Sequence, residues 1–132
     1  MVPCIVTMDG QESEPVMYIF VNDSLTLTKG QMIAQCCHIV HVITDECVTA
    51  MYEEHPASAA TLDYMRWRKS CVKIVLRASR EQLDALAQLP YARRFVDKGH
   101  RIPEGSVTVV GFLPRPPGTI QKDINVAQFK LL

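Results

Sequence analysis

The spacing of apolar positions changes several times along the chain, and each change marks an element. Pro15-Val-Met-Tyr-Ile-Phe-Val21 is a short, unbroken apolar and aromatic run, which predicts a buried strand. Asn22-Asp23-Ser24 leaves that strand, and Thr28-Lys29-Gly30 leads into a long helical stretch over about 31–52. There Ile33, Cys36, Cys37, Val40, Ile43, Cys47, Val48 and Met51 recur close to the helical period. The β-branched cluster over 39–44 lowers helix propensity, so packing must hold the middle of this helix. Glu53-Glu54-His55-Pro56 ends it. Pro56 can open a second helix at its first turn, running through Ala60 and Leu62 to about Met65.

Cys71-Val-Lys-Ile-Val-Leu76 reads as a strand. Ser79 follows as an N-cap with Gln82 as its capping-box partner, opening a helix over 80–89 that buries Leu83, Leu86 and Ala87 and stops at Pro90. A short strand over 94–96 leads to Asp97, a loop fills 98–106, and 107–112 is a further strand. Pro114-Arg-Pro-Pro-Gly118 is a rigid turn, 120–124 one helical turn, and 128–132 an edge strand. Helices alternate with strands, so the expected class is α/β around a mostly central sheet. No internal repeat is present.

At 132 residues and 48% hydrophobic, the chain suits one domain with a real core and is not a disordered chain. It has no apolar run of about 18 residues, so no membrane span is expected. The opening residues lack a basic stretch and turn acidic by Asp9, unlike a secretory leader. The cysteines stand at 4, 36, 37, 47 and 71, an odd number with one adjacent pair, which suits a reducing compartment such as the cytoplasm. No Cys-x-x-Cys spacing occurs, so no metal site is expected.

Charge cancels in sum but not in distribution. Residues 1–65 hold one basic residue, Lys29, against nine acidic ones, a net of −8. Residues 66–101 hold ten basic residues against three acidic ones, a net of +7. Such a dipole can steer a polyanion to one face. Folding can equally interleave the two halves and cancel the asymmetry.

Candidate chemistry gathers at the ends of elements. Lys29 stands where a strand hands over to a helix, a position that can hold a phosphate or steady an oxyanion, or simply a solvated turn lysine. Gln35 and His38 lie three apart on the first helix, with His41 further along the same stripe. Cys36 and Cys37 flank the stripe and read as small core residues. Asp97, after a strand and before Gly99, can serve as a base, or can accept backbone N–H groups in its own turn. Ser106 and Thr108 share parity, which predicts side chains on one face.

Together these segments are recognisable. Lys29-Gly-Gln-Met-Ile-Ala-Gln-Cys-Cys-His38 resembles the Lys-Gly-Lys-x-Ala-Ala-Gln-Cys-x-His signature of the second, archaeal and eukaryotic type of peptidyl-tRNA hydrolase. Lys73-Ile-Val-Leu76, Asp97-Lys-Gly-His100, Gly105-Ser-Val-Thr-Val109 and Phe129-Lys-Leu-Leu132 resemble further segments of that family in order. His55-Pro-x-x-Ala59 looks like its shorter, divergent branch. The resemblance covers about 16–132, leaving 1–15 as an N-terminal extension. It implies a three-layer α/β/α domain with a small mixed sheet, often a homodimer. It also implies hydrolysis of the ester joining a peptide to the 3′ end of a tRNA, with no metal or organic cofactor. The family's catalytic lysine and aspartate carry over as Lys29 and Asp97. Gln35, His38, His100, Arg101, Ser106 and Thr108 are then expected around the substrate.

The chain departs from the pattern in three places. Gln31 stands for the second signature lysine, and Asn22-Asp-Ser-Leu25 for Arg-x-Asp-Leu. Asp97-Lys-Gly-His-Arg-Ile102 is one residue shorter than the family's loop, with Arg101 near the place of its threonine. Two readings follow: a hydrolase in which Asp97 activates water and Lys29 supports the oxyanion, or a non-catalytic RNA- or protein-binding module derived from that fold.

Overall fold

The computed structural model describes residues 13–53, 58–97 and 105–132. Four strands form one mixed sheet: β1 (Met17–Asn22), β2 (Lys73–Ala78), β3 (Ala92–Val96) and β4 (Val107–Phe112), in the order β2-β1-β4-β3. β1 runs parallel to β2 and antiparallel to β4, and β3 runs antiparallel to β4. All six residues of β1 are buried, because it is central and covered on both faces, and this is why it reads as a continuous apolar run.

Alternate side chains of β1 feed two separate cores. Met17, Ile19 and Val21 pack beneath α1 (Lys29–Glu53) and α2 (Ala59–Trp67). Tyr18 and Phe20 pack beneath α3 (Arg80–Leu86), α4 (Pro117–Gln121) and a 3-10 turn, Val126–Gln128. The domain is therefore a three-layer α/β/α sandwich. Phe20 anchors the second core, edge-on to Phe112 and to Phe129 at centroid distances of 5.8 and 4.9 Å. On the first, α1 crosses β4 at Gly111, where a Cβ would lie 2.7 Å from Ile39 Cγ1.

Several boundaries differ from the sequence reading. The buried stripe of α1 is Gln35, Ile39, Ile43 and Cys47. Ile33 is 64% exposed and Cys37 is also exposed, so the apolar pattern misplaces the inward face. The reason is Gln35, a polar residue spaced four apart with the inward apolar ones. α2 begins at Ala59, capped by Ser58, whose hydroxyl accepts the Thr61 N–H; Pro56, expected in its first turn, lies outside the described residues. The Ser79–Gln82 capping box is present in full, but α3 ends at Leu86. Pro117 starts α4 at its first turn, three residues earlier than expected. The C-terminal segment does not form an edge strand. It touches β2 through one antiparallel bridge, Leu76 to Leu131, after the 3-10 turn.

Charge is partly interleaved by folding. Glu46 and Arg93 form a two-point ion pair, and Asp63 pairs with Arg115 at 2.7 Å. Among the described residues no helix is long and apolar enough to cross a membrane.

Candidate active site

The site begins at the start of α1. Thr28 Oγ1 accepts the Gln31 N–H at 3.1 Å, and Gln31 Oε1 accepts the Thr28 N–H at 2.8 Å. This is a capping box, and it makes Lys29 the first residue of the helix. The Thr-x-x-Gln signal was present in the sequence beside Lys29. Gln31, which departs from the family signature, thus has a structural task. Lys29 is exposed and lies six residues before Gln35, about 9 Å along the helix axis.

β3 presents its odd-numbered side chains to α1, as the pleat requires. Arg93 pairs with Glu46, whose carboxylate raises the pKa of the guanidinium by hydrogen bonding. The Phe95 ring stacks on His38, with centroids 4.7 Å apart. Asp97 Oδ2 accepts a hydrogen bond of 2.5 Å from Gln35 Nε2. Helix and strand run antiparallel, and these contacts draw Asp97 against the second turn of α1.

Gln35 in turn is held from β4. Thr108 Oγ1 donates to Gln35 Oε1 at 2.5 Å, with the Phe95 carbonyl a longer second acceptor at 3.4 Å. Gln35 is 2% exposed and Thr108 is fully buried. The direction of the chain is dictated by chemistry. An ionised carboxylate only accepts, so the Gln35 amide NH₂ must face Asp97 and its carbonyl must face the threonine hydroxyl.

A β-bulge makes this arrangement. Phe95 pairs with Val109 and Val96 with Val107, leaving Thr108 as the extra residue on β4. The bulge breaks the parity expected for Ser106 and Thr108. Thr108 turns toward α1. Ser106 lines a cavity with Arg80, Leu83 and Asp84 on the α3 side of the sheet. His38 and His41 are exposed, and His100 and Arg101 lie outside the described residues. Of the expected residues, the structure brings Asp97, Gln35 and Thr108 into bonded contact, with His38 beside them on Phe95. Lys29 makes no hydrogen bond or ion pair among the described residues.

Cys36 is half-buried, and burial raises its pKa above the usual thiol value. Among the described residues no group of three or more His, Cys, Asp or Glu is placed to hold a metal ion.

Residues 15–132 match the family model described as Peptidyl-tRNA hydrolase PTH2. The chain belongs to this family. Its function is therefore of the peptidyl-tRNA hydrolase type, an ester hydrolase acting in translation on tRNA-linked peptides. No curated protein matches the chain. In this hydrolase the buried Gln35 and Thr108 lie within the segments matched by the family model, and they are bonded to each other and to Asp97.

Proposed function

We propose that Asp97 is the base of this hydrolase, that Gln35 and Thr108 position it, and that Lys29 supports the developing oxyanion. The observation carrying the reading is the chain Thr108–Gln35–Asp97, which orients a half-buried carboxylate at the end of β3. Asp97 takes a proton from a water molecule, and the water oxygen adds to the ester carbonyl carbon. The carbonyl oxygen becomes an oxyanion, which the Lys29 ammonium stabilises from the start of α1. The tetrahedral intermediate collapses and breaks its bond to the ribose 3′ oxygen, which takes up the proton and leaves as an alcohol. His38, stacked on Phe95, walls the site beside the base.

An intact tRNA as the body of the substrate, a cytoplasmic location and a homodimer belong to the same proposal. The first and last rest on the family resemblance and the location on the cysteine usage, and light scattering of the purified chain decides the homodimer. The experiment for the site is single-turnover hydrolysis of peptidyl-tRNA by wild type, Lys29→Ala and Asp97→Asn. Each variant is expected to lose about 10²- to 10³-fold in rate while still binding tRNA. Unchanged rates in both would remove these residues from the mechanism.

A further inference from the structure

The even-numbered face of β3 leads to a second place where chemistry gathers. Arg94 turns away from α1 into a cavity of about 520 Å3, on the α3 side of the sheet. Its polar lining comes from Asn22, Ser24, Arg80, Asp84, Arg94 and Ser106. That volume falls within the range of small-ligand clefts.

The rim is tied in place before any ligand arrives. Asn22 is 4% exposed; its amide donates to the Val107 carbonyl at 2.9 Å and its Oδ1 accepts the Ser24 N–H at 2.8 Å. Ser24 Oγ accepts the Arg80 N–H at 3.0 Å, so the loop after β1 is pinned to the first residue of α3. Gly105 closes the rim with a φ of +82°, a left-handed conformation that glycine adopts without strain. Neither Arg80 nor Arg94 has an ion-pair partner among the described residues, although Asp84 lies on the same wall. Two guanidiniums and two hydroxyls against one carboxylate favour an anion of phosphate type, and Asp84 suits a ribose hydroxyl.

The geometry points to this cavity as a binding site for one nucleotide unit of the tRNA backbone, its phosphate held by Arg80 and Arg94. Arg94 precedes Asp97 by three strand positions, about 10 Å, so a strand seated here runs past the end of the sheet where Asp97 stands. The phosphate thereby registers the RNA relative to the base on the opposite face. The inference rests on the hydrolase reading. It adds a positioning site that the Asp97–Gln35–Thr108 chain does not contain.

The test is steady-state hydrolysis and direct tRNA titration for wild type, Arg80→Gln and Arg94→Gln across a salt series, with thermal melts as the check on folding. Each substitution is expected to raise KM and the tRNA Kd about tenfold with little change in kcat, as lost uniform binding requires. The slope of log Kd against log[salt] should fall by about 1 in each. Unchanged Kd and salt slope in both folded variants would overturn the inference. It would also be overturned if inorganic phosphate or a mononucleotide bound the wild type, lost that binding on Arg94→Gln, and tRNA binding stayed the same. The cavity would then hold a free nucleotide. Wild type without turnover would count against the hydrolase site alone, because the tRNA titration still reads the arginines.

Discussion

Gln35 donates to Asp97 Oδ2 across 62 positions of sequence, so the orientation of the proposed base is set by a helix residue that is almost wholly buried. Replacing it with leucine keeps the volume but removes the donor. Gln35→Leu is expected to lower the rate of peptidyl-tRNA hydrolysis by about 10- to 100-fold, less than Asp97→Asn, because the carboxylate remains but is no longer held. Its tRNA Kd should stay at the wild-type value, which separates positioning from binding. A rate equal to wild type would mean that the contact does not serve catalysis.

Thr108→Val tests the next link. Valine is close in shape, but it leaves Gln35 Oε1 buried without its donor. The expected loss is about 1–3 kcal/mol of stability, read as a lower urea midpoint at constant m-value. A change in m-value instead would mean that the substitution altered the surface exposed on unfolding or broke two-state behaviour.

Gly111 allows α1 to approach β4 closely. In Gly111→Ala the new Cβ would meet Ile39 Cγ1 at 2.7 Å and Ile43 Cδ1 at 2.9 Å. Overpacking of this kind costs about 1–3 kcal/mol. Because α1 carries Gln35, hydrolysis should fall as well. Adding Ile43→Val makes room, and the double variant is expected to recover part of both losses.

The capping box at the start of α1 links stability to Lys29. Thr28→Ala removes the acceptor for the Gln31 N–H and is expected to cost about 1 kcal/mol. The first turn then frays, and Lys29 is the first residue in it. Thr28→Ser, which keeps the hydroxyl, should restore both stability and rate.

Burial pushes the Cys47 thiol from its ordinary value of 9.0 up to about 11, with the Glu46 carboxylate adding to the rise. The folded state therefore keeps this proton at a pH where the unfolded chain has released it. Stability from this group is complete below pH 9.0 and falls as the pH climbs toward about 11. The loss is on the order of 2–3 kcal/mol. Cys47→Ala should flatten the stability profile over that interval. In native protein at pH 8, alkylation should favour the exposed Cys37 and Cys71 and spare Cys47.

Local physics made much of this chain legible from its residues alone. The unbroken apolar run of β1, the 107–112 strand and the Ser79–Gln82 cap depend on neighbours a few positions away, and the structure has all three. Motif order likewise pointed to the family before any fold was in view. The inward face of α1 was not legible, because hydropathy assigns a glutamine to solvent, and Gln35 is buried only because Asp97 and Thr108 meet it there. Nor was the position of Thr108, since a bulge is a mismatch between two strands and neither strand encodes it separately. That Arg93 and Arg94 face opposite sides follows from the pleat, but which of them meets the salt bridge under α1 and which the cavity under α3 is set by the layers packed on the sheet. Short-range periodicity and capping are properties of a segment. Which polar side chains are buried together is a property of the packed layers, because only long-range contact can supply the partners that make their burial affordable.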